Sequence, residues 1–136
     1  MAETLKLEVV TPEAIVYSED VDMVTLPAFD GQIGVLPHHV PLLTQVVPGE
    51  MIVRKGTRET FVAVGEGLVE ITGNSVSIVT DMAVAAENVD EARAEEARQR
   101  AAARLRDKIS DEELASVNAS LARTLAQLRV KRRGRL

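Results

Sequence analysis

The chain has 136 residues, a net charge of −5 and no cysteine, and although nearly half apolar it has no run near the roughly 20 uninterrupted apolar residues of a bilayer-spanning helix. That composition excludes a disulfide framework, a thiol nucleophile and a cysteine-ligated metal, and leaves material for one substantial core. With Tyr17, Phe29 and Phe61 as its only aromatic residues, the chain offers little for nucleobases to stack on, and nucleic acid is not an expected partner.

The opening residues, Met1 to Lys6, have neither the basic-then-apolar pattern of a secretory signal nor the Arg- and Ser-rich pattern of a transit peptide, so a bacterial cytoplasmic location is the expectation. From Leu5 to about Glu87, short runs rich in Val and Ile are separated by Pro, Gly, Asn and Asp. This predicts an all-β domain over residues 1–87, with roughly eight to ten strands. Leu5, Leu7 and Val9 alternate with polar residues, whereas Phe61 and Ala63 share a strand with Val62 and Val64, which implies burial on both faces. Arg54-Lys55-Gly56-Thr57 and Thr72-Gly73-Asn74 read as hairpin turns in which Gly and Asn tolerate positive φ. So many strands in so short a segment are best buried as an antiparallel β-sandwich.

After Asp81 the composition turns to Ala, Glu and Arg, with neither Gly nor Pro before Gly134. Asn88 with Glu91 and Ser110 with Glu113 have capping-box spacing, predicting one helix over about 89–108 and a second over about 111–130. The second carries Leu114, Val117, Leu121, Leu125 and Leu128 at helical spacing; the first offers Ala97, Ala101, Ala102, Leu105 and Ile109. The fold class is therefore α+β, an N-terminal sandwich followed by an antiparallel helical hairpin over residues 88–136. A leucine-on-alanine seam buries little apolar area, so the hairpin is expected to be mobile.

Charge divides along the same boundary. Residues 1–86 hold 4 basic and 12 acidic side chains (4 − 12 = −8), and residues 87–136 hold 12 and 9 (12 − 9 = +3). The last stretch, Arg129 to Leu136, is strongly basic. The two histidines are adjacent and no acid, base and nucleophile share a recognisable arrangement, so catalysis is not expected.

The run Asp30-Gly31-Gln32-Ile33-Gly34-Val35-Leu36-Pro37-His38-His39-Val40-Pro41-Leu42-Leu43 resembles the signature loop and strand of the epsilon subunits of bacterial F-type ATP synthases. Leu7 to Pro12, Val24 and Leu26 resemble that family's opening strands, and Val89-Asp90-Glu91-Ala92-Arg93-Ala94 resembles the motif that opens its C-terminal hairpin. The resemblance implies a non-catalytic central-stalk subunit on the cytoplasmic face of the cell membrane, reaching the membrane only through the complex. Its implied partners are the gamma subunit, the c subunits of the rotor ring, and the beta and alpha subunits of the catalytic head. Gly31, Gln32 and His39 would meet the ring, although Gln32 stands where some relatives carry an acid, and His39 taken alone reads as a packed, hydrogen-bonded residue.

Some relatives bind ATP on the folded hairpin, and the resemblance carries that role to Val89, Asp90, Arg93, Ala94, Arg100 and Arg123. Helical geometry puts Arg93 and Arg100 within roughly 20° of each other and Asp90 within about 80°. Val84 and Gln127 depart from the acid and the arginine expected there. The residues leave two readings open: a regulatory ATP site that senses nucleotide without hydrolysing it, or a helix N-terminus with a solvated charged face. No cofactor is required. The resemblance further implies that Arg123, Arg129, Lys131 and Arg132 press against acidic catalytic-head subunits when the hairpin extends, which inhibits hydrolysis. Two other readings are a β-sandwich adaptor with a helical arm and a binder of acidic surfaces through the basic tail.

Overall fold

A computed structural model describes residues 3–133. Ten strands run through Leu5–Val10 (β1), Ile15–Val21 (β2), Met23–Ala28 (β3), Gly31–Val35 (β4), Leu42–Val46 (β5), Gly49–Lys55 (β6), Arg58–Val64 (β7), Gly67–Thr72 (β8), Ser75–Thr80 (β9) and Ala83–Ala85 (β10). A 3-10 turn at Ala86–Asn88 leads to helices Glu91–Arg106 (α1) and Asp111–Arg133 (α2). The expected sandwich followed by two packed helices is present.

The strands form one hydrogen-bonded path in the order β10-β7-β6-β3-β5-β8-β9-β1-β2, with β4 beside β3. It turns a corner where β3 and β5 meet only through Ala28 and Val46, so the two halves lie face to face as a sandwich close to a barrel. Leu5, Leu7, Val9, Leu26, Met51, Val53, Ile71 and Ile78 fill the interior. β7 explains its own sequence: Val62 and Val64 join that core, while Phe61 and Ala63 face a second cluster with Ala126 and Val130 of α2 and Val89.

Several local expectations need correction. β1 pairs with β2 antiparallel but with β9 in parallel. The two strands are separated by most of the domain, so no hairpin dictates their direction and no local pattern announces it. At the β8–β9 turn Gly73 alone takes positive φ (43°); Asn74 instead uses its side chain to accept from the His38 backbone N–H at 3.1 Å. His38 adopts the positive φ, 67°. α1 is capped by Asp90 and not Asn88, because Ala86–Asn88 is already wound into the 3-10 turn. Ser110 does cap α2, accepting from the Glu113 N–H at 3.2 Å, but the Glu113 side chain pairs with Arg104 and does not reach back to complete a box.

The α2 stripe is also displaced. Leu128 is buried, but Leu114 and Leu125 are exposed, and Thr124, Ala126 and Val130 are buried in their place. α2 serves two neighbours, α1 and the outer face of β6 and β7, so its covered arc is wider than a hairpin seam and is lined by small side chains where it meets the sheet. Arg104 late in α1 meets Glu113 early in α2, whereas Arg98 lines a cleft with Arg129 and Arg132. The helices therefore run antiparallel.

At Gly67 a Cβ atom would lie 1.9 Å from the Val79 carbonyl oxygen, whereas at Gly73 it would meet nothing within 4 Å. The first clash is with backbone that cannot yield without opening the β8–β9 ladder. Gly67→Ala should destabilise the sandwich by about 3 kcal/mol or more, and Gly73→Ala by about 1 kcal/mol through its positive φ, in urea unfolding of the full chain.

Candidate functional site

The entry to α1 is fixed from both sides. Val89 is buried against Ala63, Ala126 and Val130, and the next residue, Asp90, has extended φ and ψ (−85°, 100°) with Oδ1 accepting from the Arg93 N–H at 3.1 Å. An aspartate here satisfies a first-turn amide and places negative charge at the positive end of the helix. The first turns of α1 then face α2 across an open cleft of about 470 Å³ that reaches Val84 of β10.

Five of the six residues expected to bind nucleotide line this cleft: Val89, Asp90, Arg93, Ala94 and Arg100. Arg93 and Arg100 have no ion-pair partner among the described residues, so both guanidinium groups are available to an oxyanion. The sixth, Arg123, turns away to Asp81 at the β9–β10 turn, with Nη1 and Oδ2 3.4 Å apart. Both partners are more than a third exposed, so this pair contributes at most about 1 kcal/mol. Thr124 and Gln127 supply the α2 wall, and Glu96 and Asn88 complete the rim. The charges balance, two arginines against Asp90 and Glu96. Sequence reasoning missed Asn88, Glu96 and Thr124; Thr124 and Gln127 lie three apart on the α2 face opposite Arg93 and Arg100, a signal available only once the helices are paired.

Gly31, Gln32 and His39 do not share one site. Gly31 opposes Ala28 at one end of β4, and Val35 opposes Val24 at the other, about 13 Å along the strand. Gly31 and Gln32 are exposed where the turn at Phe29 and Asp30 enters β4, with φ of 119° at Gly31, beside the exposed Phe29. His39 lies past the far end of β4, in the loop that Asn74 and Glu3 hold through His38, and its Nδ1 is 2.6 Å from the Val40 carbonyl oxygen.

At the C-terminal end of α2, Arg129 and Arg132 are exposed and Lys131 is half-buried; Gly134, Arg135 and Leu136 lie outside the described residues. Arg98, Arg129, Arg132 and Arg133 line an open cleft of about 440 Å³ with Leu125 and Leu128. Arg98 is engaged, its Nε donating to Glu95 Oε1 at 3.0 Å, and that bond holds the Glu95 carboxyl below the usual carboxylate range. Arg133 was not anticipated: its Nη1 lies 3.2 Å from Oε1 of the buried Glu50, and its guanidinium sits 5.7 Å above the Phe61 ring.

Two further features lie on the sandwich. Leu68, Val79, Val10 and Ile15 stand opposite one another across β8, β9, β1 and β2, an apolar row on the layer that the helices leave uncovered. Between the edge strands β2 and β10 an apolar cleft of about 290 Å³ reaches Val9 and Val62 of the core. Tyr17 lines it, its phenol pushed above the usual range first by burial and then by the hydrogen bond and charge of Glu19.

Two family profiles divide the chain between them. Residues 4–86 match the β-sandwich domain of the ATP synthase delta/epsilon chain, and residues 87–132 match its long α-helix domain. The chain is 42% identical over 127 residues to the ATP synthase epsilon chain of Herpetosiphon aurantiacus, covering 93% of each. It is 43% identical over 135 residues to ATP synthase epsilon chain 2 of Syntrophotalea carbinolica, covering 98% of each. In fold it is similar to a chain of the Euglena gracilis mitochondrial ATP synthase, with a TM-score of 0.78 at 21% identity, covering 90% of this chain and 78% of that one.

Because Asp90 both caps α1 and lines the cleft, two substitutions separate its roles. Asp90→Asn keeps a capping oxygen and should leave stability within about 0.5 kcal/mol, while Asp90→Ala should cost about 1 kcal/mol and fray the first turn of α1. Thermal unfolding and amide exchange of residues 91–95 in the two variants provide the check.

Proposed function

This chain belongs to the delta/epsilon chain family of ATP synthases, and we propose that within the central stalk it is a coupling subunit whose two helices act as a movable brake on hydrolysis. It is a non-catalytic subunit. Among the described residues no helix is long and apolar enough to cross a membrane, so attachment to the membrane would come through the complex.

The observation that carries the brake reading is the seam between α2 and the sandwich. The fully buried members of the cluster at that seam, Ala63, Val89, Ala126 and Val130, are small, and its larger members, Phe61 and Met82, are only partly buried, whereas the sandwich has a separate and larger core of its own. Burying a valine contributes about 1.5–3 kcal/mol and an alanine less, so the helices can leave without unfolding the β body. Once extended, they would offer Arg129, Lys131 and Arg132, with Arg123 freed from Asp81, to acidic groups of the beta and alpha subunits.

The sandwich would supply the fixed contacts. The apolar row of Leu68, Val79, Val10 and Ile15 fits a docking face for the gamma subunit. The exposed turn at Gly31 and Gln32 fits the polar loops of the c subunits; as an amide, Gln32 would hydrogen-bond them without pairing a cation. His39, beyond the other end of β4, suits a second and separate ring contact.

The cleft at Val89, Asp90, Arg93, Ala94 and Arg100 fits ATP as a regulatory ligand of the docked state. Both arginines would take phosphate oxygens, and Asp90 retains Oδ2 for a base amino group. Arg123 would join only by giving up Asp81. By mass action, nucleotide bound to the docked hairpin would release the brake.

Isothermal titration of the full chain with Mg-ATP should give saturable binding that Arg93→Ala weakens about tenfold or more, the loss of one charged hydrogen-bonding group. A null titration would remove the sensor and leave the brake. Deleting residues 88–136 should raise hydrolysis by the assembled enzyme without preventing assembly; unchanged hydrolysis would remove the brake.

A further inference from the structure

Glu50 is the one acidic residue buried in the described structure, at 5% exposure, and one of its carboxylate oxygens, Oε2, is enclosed without a hydrogen-bond partner. The alternation of β6 sends Met51 and Val53 inward and Glu50 outward, opposite Ala63 of β7. Outward here means under α2. Arg133 meets Oε1 from above at 3.2 Å while stacking over Phe61. Arg129, one helical turn earlier, lines the same cleft of about 380 Å³ beside Gln32 and Glu50. The carboxylate thus pairs with one guanidinium group, and a second lies along the same cleft on the preceding turn of the helix.

We propose that Glu50 is an internal acid that latches the docked hairpin, occupying the basic end of α2 in place of an acidic partner. Its burial makes the contact conditional. With Arg133 over it, the charge is compensated; with that cation gone, a docked α2 would enclose an unpaired carboxylate, and undocking would return Glu50 to water. The latch deepens the brake reading, since an arginine turned toward Glu50 is withheld from any outside acid. Arg133 is the donor, and Arg129, lining the same cleft, adds a second positive charge near the carboxylate.

The latch itself is tested on the isolated full-length chain by hydrogen exchange. Arg133→Met keeps an apolar stem over Phe61 without the charge and should speed exchange of the α2 amides of residues 119–133 about tenfold or more, while β1 to β9 remain protected. Adding Arg129→Met should speed it further. Introducing Glu50→Gln into that double variant should restore most of the protection, because nothing charged is then left to bury. Unchanged α2 exchange without both arginines, or failure of Glu50→Gln to restore it, would overturn the latch. So would equal acceleration in the sandwich, which would make the pair a support of the whole fold. Hydrolysis by the assembled enzyme is measured separately: Arg133→Met should strengthen inhibition if the brake reading holds, and unchanged hydrolysis beside altered exchange would sink the brake reading while sparing the latch.

Discussion

The arrangement depends on the thinness of one seam. The β-sandwich has a core of its own, in which Leu5, Leu7, Val9, Leu26, Met51 and their neighbours fill the space between its two halves. The helices cannot say the same. Where α2 meets the outer face of β6 and β7 it buries small side chains, Ala126 and Val130; Leu128 is its one fully buried large side chain, and α1 buries only Ala94 and Ala101. Helical hairpins of this length draw most of their stability from tertiary packing, so on the proposed brake reading a weak seam would make docking an equilibrium and not a fixture.

Polar contacts add direction to that equilibrium. Exposed pairs such as Arg123 with Asp81 contribute little and are screened by salt, so they bias orientation more than affinity. Glu50 differs because its desolvation is already complete in the docked state. A buried acid with one enclosed oxygen penalises any docked geometry in which the helix end is misplaced. On the latch proposed above, Arg133 would both hold α2 on the sheet and set its register there, since only the docked geometry that brings its guanidinium to Glu50 compensates the buried charge.

What the sequence disclosed and what it hid follow from the range of each interaction. Alternation in β1 and the double-sided pattern of β7 were readable because a strand's period is local, and Ser110 was readable as a cap because its partner amide is three residues away. Asn88 reads as the cap because Glu91 stands three residues on, whereas Arg93 follows Asp90 at that spacing; the 3-10 turn over Ala86–Asn88 overrides the box and leaves the cap to Asp90. The parallel pairing of β1 with β9, the diversion of Arg123 to Asp81 and the burial of Glu50 join residues tens of positions apart. Glu50 in particular carries no local signal of burial, because it is α2, more than sixty residues away in sequence, that covers that face of β6.

The same geometry imposes a division of labour on the basic end of α2. Arg123 and Arg133 point at the sandwich and are satisfied there, whereas Arg129 and Arg132 face open clefts. A helix that must both dock on its own body and meet an acidic partner cannot use one set of cations for both without making the states mutually exclusive, and mutual exclusion is what a two-position device requires. Shared cations would make the choice sharp; separate cations would allow a hairpin half-docked and half-engaged. On the proposed brake, Arg129, exposed yet lining the same cleft as Glu50, would be the residue at which the two states compete most directly, and the sharpness of the switch would turn on which carboxylate it serves.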